Sequence, residues 1–111
     1  MAKWNYDMST AGKSLRDAIA ADSQSIESCQ LVLDRLLNCF DWIKEHCISK
    51  IVASFESYRP YVFETIDELK EMQDPHYVLE TDDYEFAEEA VNQHLKDFYD
   101  LCDMYKIWVG I

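Results

Sequence analysis

The sequence predicts an all-α protein: a small antiparallel bundle of four to five helices, folded as a single domain over residues 1–111. Apolar residues make up 49% of the chain and aromatic residues 14%, enough for a packed interior despite a net charge of −12. Only two glycines and two prolines are present, too few for a loop-rich β-sandwich. Apolar residues also recur every three or four positions along most of the chain, as they do on the buried side of a helix.

A polar break separates the first two predicted helices. Ser9 or Thr10 can cap a first helix that runs to about Ala21. Its inner face is expected to carry Leu15, Ala18 and Ile19. A second helix is predicted from about Gln24 to Cys47, because its apolar residues fall within one arc. That arc comprises Ile26, Cys29, Leu33, Leu36, Leu37, Phe40, Ile43 and Cys47.

Pro60 divides the next apolar run, which is helical in period on both sides of the proline. Proline lacks an N–H and biases the preceding residue away from helical angles, so the run is either one kinked helix or two helices. We favour a new helix from about Tyr58 to Gln73, capped by Ser57 and followed by a connection over residues 74–81.

The last helix, predicted over Tyr84 to Tyr105, has the clearest apolar period. Thr81, Asp82 or Asp83 can cap it, and the spacing of Asp82 and Glu85 approximates a capping box. Residues 107–111 are too apolar for a free tail and are expected to fold back onto the bundle.

No motif for catalysis, cofactor binding or metal binding is found in the sequence. Paired Glu-x-x-His motifs, HExxH and the EF-hand loop are all absent. Asp97, Asp100 and Asp103 drift around the helix by 60° per step, as acids on a solvated face do. We therefore predict a protein that is not an enzyme and has no cofactor and no metal site.

His94 stands out because it falls within the apolar arc of the last helix. It is either a buried general base or pH-sensitive contact, or a core histidine bonded to a tyrosine or a backbone carbonyl. The four cysteines match neither CxxC nor zinc-ribbon spacing, which predicts buried free thiols. With no targeting segment and no apolar run of bilayer length, a cytoplasmic location is expected.

Nearly all of the excess negative charge lies in the C-terminal half. Residues 1–60 hold seven basic and eight acidic residues, a net of −1, whereas residues 61–111 hold three and fourteen, a net of −11. Four acids form a stripe on one side of the helix that follows Pro60: Glu64, Asp67, Glu68 and Glu71. Further candidate partner-binding acids lie on the last helix: Asp82, Asp83, Glu85, Glu89, Asp100 and Asp103.

This charge pattern predicts a partner with a basic surface, and it disfavours direct binding to nucleic acid or to anionic membranes. Rows of carboxylates on helices can imitate phosphates, as in the small acidic inhibitors of phages and mobile elements. The predicted function is a nucleic-acid-mimic inhibitor of a basic DNA- or RNA-handling protein. The alternative is an assembly protein that self-associates through its aromatic residues, with the acids serving only solubility.

Leu31 and Trp42 point away from the apolar arc of the second helix, about 16 Å apart along one stripe. A helix that is apolar on two sides is either central in its bundle or part of an interface. If this side is open, the two residues are the candidate contact for a homodimer or a partner.

Overall fold

In the computed structural model, which describes residues 4–21 and 25–110, five α-helices and two short β-strands are formed. The helices are α1 (Ser9–Ala20), α2 (Ile26–His46), α3 (Ser49–Glu56), α4 (Arg59–Met72) and α5 (Thr81–Met104), and the strands are β1 (Tyr6–Asp7) and β2 (Ile107–Trp108). The predicted small all-α bundle is confirmed. Pro60 starts a new helix, because it lies in the first turn of α4, where its missing N–H would have no helical partner.

Helix α2 is the centre of the bundle and contacts each of the other four helices. Side-chain hydrogen bonds show the relative directions: Arg35 to Ser14, Cys39 to Ala11, Gln73 to Gln30 and Arg59 to Asp41. In both pairs of helices, the bonded position on α2 moves towards its C-terminus as the bonded position on the partner helix moves towards its N-terminus. Helices α1 and α4 therefore both run antiparallel to α2.

Three phenylalanines from α2, α3 and α5 form the centre of the core. The ring centroids of Phe40 and Phe55 are 6.0 Å apart, and Phe98 lies 5.7 Å from each of them. Each of the three side chains is at most 2% exposed. This cluster joins α5 to the central helix and to α3. Among the described residues, no helix is long and apolar enough to cross a membrane.

The two ends of the described chain meet in a clasp, in which β1 pairs in parallel with β2. Ile107 is 1% exposed, and the Arg16 guanidinium of α1 donates a hydrogen bond to the carbonyl oxygen of Val109. The prediction that the apolar C-terminal segment folds back is thus confirmed for residues 107–110, while residue 111 lies outside the described part. The strands themselves are not predicted by the sequence, because two residues are too few to show a period of two.

The predicted caps of three helices are wrong. Helix α1 has Met8 at its N-cap, with no side-chain cap, because Met8 is fully buried and its N–H donates to the C-terminal segment. Helix α4 has Tyr58 rather than Ser57 at its N-cap. Helix α5 begins one turn earlier than predicted, because Glu80 and Asp83 form its capping box. The hydrogen bond that the Met8 N–H donates to Trp108 fixes the start of α1. The hydrogen bond that the Glu80 N–H donates to the Asp83 carboxylate fixes the start of α5.

Ile19, predicted to lie on the inner face of α1, is 43% exposed. Leu15 and Ala18 occupy that inner face as predicted. The connection after α4 adopts turns and irregular backbone, with no strand at residues 76–79.

Candidate functional site

The acidic stripe of α4 lies on the side of the helix that faces away from the bundle. The opposite side is buried and comprises Val62, Thr65, Ile66, Leu69 and Met72. The stripe positions lie on the far side of the helix, at about 100° per residue. Its four members, Glu64, Asp67, Glu68 and Glu71, are all exposed.

Helix α5 carries the second group of acids. Five of the six predicted residues are exposed, namely Asp82, Glu85, Glu89, Asp100 and Asp103, and Asp83 is half-buried. The two helices are neighbours, joined where Thr65 of α4 lies 2.8 Å from His94 of α5. Packed helices have axes about 8–10 Å apart. The structure therefore places the two groups of acids on adjacent helices.

Most of these carboxylates lack a cation within ion-pairing distance among residues 4–21 and 25–110. Asp100 pairs with Lys96 at 3.0 Å. Asp83 accepts hydrogen bonds from the Glu80 N–H and the Tyr77 hydroxyl, each at 3.0 Å. The other eight of the ten candidate acids form no salt bridge in this part of the chain. Within the described residues their charge is therefore compensated by no direct ion pair.

The total charge of helices α4 and α5, divided by the length of α5, approaches the charge density of a nucleic-acid strand. Helices α4 and α5 carry twelve acids, and α5 is about 36 Å long at about 1.5 Å per residue. Arg59, Lys70 and Lys96 reduce the charge of the two helices from −12 to −9. The net density is about one charge per 4 Å, against about one per 3.4 Å along a single DNA strand.

Large apolar side chains are also exposed in this part of the molecule, a feature that the sequence did not predict. Seven of them are exposed between residues 61 and 86: Tyr61, Phe63, Tyr77, Val78, Leu79, Tyr84 and Phe86. Val78 is 79% exposed. Tyr61 and Phe63 flank the buried face of α4, a position that helical period alone could have revealed. Apolar groups among exposed charges are typical of a surface that binds protein.

The second predicted surface, Leu31 and Trp42 on α2, is only partly open. Leu31 is 38% exposed and lies in a groove beside Arg35 and Lys13. Trp42 is half-buried and its ring stacks on His46, with centroids 4.2 Å apart. Helix α2 is therefore central to the bundle, as the first alternative states, and still presents Leu31 to solvent, while an interface at this side stays a prediction.

His94 connects α5 to α4 through a short chain of hydrogen bonds. The Thr65 hydroxyl donates to the carbonyl oxygen of Tyr61 at 3.2 Å and lies 2.8 Å from Nε2 of His94. Because the hydroxyl has one proton, Nε2 of His94 is then the donor to Thr65. Burial lowers the pKa of His94, opposed by the nearby Asp97 carboxylate. The partner is thus a threonine, and the predicted tyrosine or backbone carbonyl is wrong.

Replacing His94 with glutamine is expected to reduce the loss of stability on acidification. Burial holds the pKa of His94 in the folded protein below its usual value of 6.5, so the unfolded chain binds this proton first. Stability from this residue is present above the unfolded pKa and falls as the pH drops through that value. Urea midpoints at pH 7.5 and 5.5 measure the effect. His76→Gln, at an exposed position, is the control, and equal pH dependence in the two variants would contradict the assignment.

The prediction of buried thiols is confirmed for Cys39 and Cys102 and is wrong for Cys29 and Cys47, which are half-buried. All four cysteines are free, and burial raises the pKa of Cys39 to about 12 and that of Cys102 well above its usual range. Such thiols stay protonated and are poor nucleophiles. In the part of the chain that the structure describes, no group of three or more His, Cys, Asp and Glu could hold a metal ion.

The described chain is a small helical bundle whose α4 and α5 carry the exposed candidate acids and several exposed aromatic residues; these residues are together called the α4–α5 face. In comparisons with known proteins, no family model, no curated protein and no solved structure matches the chain.

Proposed function

We propose that the protein is a non-enzymatic binding protein whose α4–α5 face occupies a basic groove of a DNA- or RNA-handling protein and so inhibits it. The observation that carries the proposal is the set of exposed carboxylates on two neighbouring helices, eight of which have no ion pair among the described residues. The partner's lysines and arginines would supply the missing counter-charges.

The energetics of α4 support a binding role for the stripe. Like charges at i,i+3 and i,i+4 spacing cost a helix a few tenths of a kcal/mol per pair, and Lys70 is the only basic residue among them. A basic partner would convert these repulsions into attractions and accelerate encounter by long-range steering. The exposed apolar side chains nearby would then add short-range contacts that the charges alone lack.

The length of α5 indicates how long the basic groove of the proposed partner is. Residues 82 to 103 span about 32 Å at about 1.5 Å per residue. At about 3.4 Å per base pair, this matches nine to ten base pairs of duplex. The proposed partner therefore has a basic groove long enough for about one turn of double helix.

Neutralising the α4 stripe is expected to weaken partner binding at least about tenfold at low salt, mainly through a slower association rate. The variant neutralises three of the four stripe acids, as Glu64→Gln, Glu68→Gln and Glu71→Gln together. A matched control removes the same number of charges from α2, as Glu27→Gln, Asp34→Asn and Glu45→Gln. Both variants are expected to stay folded, and the stripe variant should keep or gain stability, because the removed interactions are repulsive.

The experiment captures partners from host lysate with the wild-type protein and both variants as baits, at low and high salt. Captured proteins are identified, purified and tested for displacement by duplex DNA and for loss of their own nucleic-acid binding. We expect to find partners that bind the wild-type and control baits but not the stripe variant. Duplex DNA should displace these partners from the wild-type protein. Partners retained equally by all three baits, or unaffected by DNA, would refute nucleic-acid mimicry.

A second candidate function, self-association, is favoured by the exposed aromatic residues and by Leu31 on the open side of α2. Sedimentation at low and high salt tests it. A dimer that persists at high salt and dissociates in the Leu31→Ala, Trp42→Ala double variant would support assembly. A monomer at all salt concentrations would exclude it, since apolar interfaces are insensitive to screening.

A further inference from the structure

A groove of about 300 Å³ lies on the side of the bundle where α1, α2 and α5 meet. Its volume is at the lower end of the range for small-molecule clefts, about 300–1,000 Å³. Apolar residues from all three helices line it: Ala18, Ile19, Val32, Ala87, Val91 and Leu95. Ile19, turned away from the core, is an exposed part of this lining. The groove is therefore an apolar site of small-ligand size. Helix α1 contributes Ile19, which the apolar pattern had placed on the inner face of the helix.

The charged part of the groove lining is a carboxylate. Glu88 is the one charged residue in the lining, is exposed, and forms no salt bridge within residues 4–21 and 25–110. It lies close enough to the half-buried Cys29 to raise the pKa of that thiol further than burial alone does. Tyr84, 42% exposed, adds an aromatic ring to the same lining. A carboxylate and an aromatic ring beside an apolar surface suit a cation with an apolar body.

We propose that this groove binds a small organic ammonium ion, with the apolar part against α1, α2 and α5 and the ammonium group at Glu88. An arylalkylamine has this chemistry. Anionic ligands are disfavoured by Glu88 and by the net charge of −12. The groove shares Tyr84 with the proposed partner-binding surface but none of its acids, since Glu88 is not among the acids assigned to that surface. Failure of one proposal therefore leaves the other standing.

Three probes of similar shape test the proposal: 2-phenylethylamine, the neutral 2-phenylethanol and the anion phenylacetate. Amide chemical-shift titration of the whole protein measures affinity and maps the site. We expect the amine to bind with a Kd of about 1 mM, within the efficiency limits of so small a ligand. It should bind about two- to fivefold more tightly than the alcohol, the range for one partly exposed ion pair. Phenylacetate should bind most weakly, and the shifts should centre on Ala18, Val91 and Leu95.

Glu88→Gln is expected to abolish the preference for the amine over the alcohol while leaving the affinity for the alcohol unchanged. Glu45→Gln removes the same charge at an exposed position of α2 and should keep the preference, which controls for the overall field. Alkylation gives a second readout, because bound amine should slow modification of Cys29 relative to the half-buried Cys47 in the same sample. Equal binding of amine and alcohol, an unchanged preference in Glu88→Gln, or no shifts and no protection of Cys29 would each overturn the proposal.

Discussion

Replacing Phe98 with alanine is expected to lower the free energy of unfolding by about 3–5 kcal/mol, the usual cost of emptying a buried aromatic site. The ring is 2% exposed and contacts the rings of Phe40 and Phe55, so its loss opens a cavity where α2, α3 and α5 meet. Domains of this size are stable by about 5–15 kcal/mol, so the variant should be close to the limit of folding. Urea unfolding followed by circular dichroism measures the change.

Phe63→Ala provides the matched control, because it makes the same substitution on α4 at a side chain that is 46% exposed. It should change stability by less than about 0.5 kcal/mol, as surface substitutions usually do. If the two variants proved equally destabilised, the phenylalanine cluster would not be the centre of the core.

Replacing Gly12 with alanine is expected to destabilise the protein by about 1–2 kcal/mol, although alanine is the better helix former. A methyl group at this position of α1 would collide with the Val109 carbonyl oxygen and lie 3.0 Å from the carbonyl carbon. Overpacking of this kind costs about 1–3 kcal/mol, whereas the gain in helix propensity is about 1 kcal/mol or less. The steric cost should exceed the gain in helix propensity, because backbone atoms of the C-terminal clasp cannot rotate away as a side chain would.

A truncated chain tests this cause directly. Deleting residues 109–111 removes the Val109 carbonyl and leaves Ile107 and Trp108 in place. In that background the same Gly12→Ala change should stabilise the protein by about 0.5–1 kcal/mol, because only the propensity term remains. Denaturant midpoints of the four chains give the double-mutant cycle. A destabilising effect of the same size in the truncated chain would contradict the close approach of Gly12 to the clasp.

The helical bundle could be predicted from the sequence because its cause is local. Apolar residues repeat with the helical period, and the side of α2 that carries Leu33, Leu36 and Phe40 is the side that the structure buries. Pro60 has only a few compatible positions in a helix, which limits the alternatives to a kink or a new start, and the structure places it in the first turn of α4. The exposure of the acids follows equally directly, since an unpaired carboxylate is costly to bury.

The remaining features depend on residues far apart in sequence. No local pattern shows that Gly12 lies against Val109 or that Arg16 bonds to the same residue, because the chain ends meet only after the helices have packed. The N-cap of α1 at Met8 has the same origin, since its N–H donates to Trp108 across the clasp. Short strands and caps that depend on such contacts are stabilised too little by their own neighbouring residues to be predicted from the sequence.

By itself, the sequence determined the fold class and the acidic character of the C-terminal half, since period and charge count are properties of the chain alone. Only the tertiary structure decided that Thr65 is the partner of His94, that apolar side chains lie exposed among the acids, and that Ile19 and Glu88 line one groove. The physical reason is that these features depend on how neighbouring helices are rotated and spaced. Packing of the whole core sets that geometry.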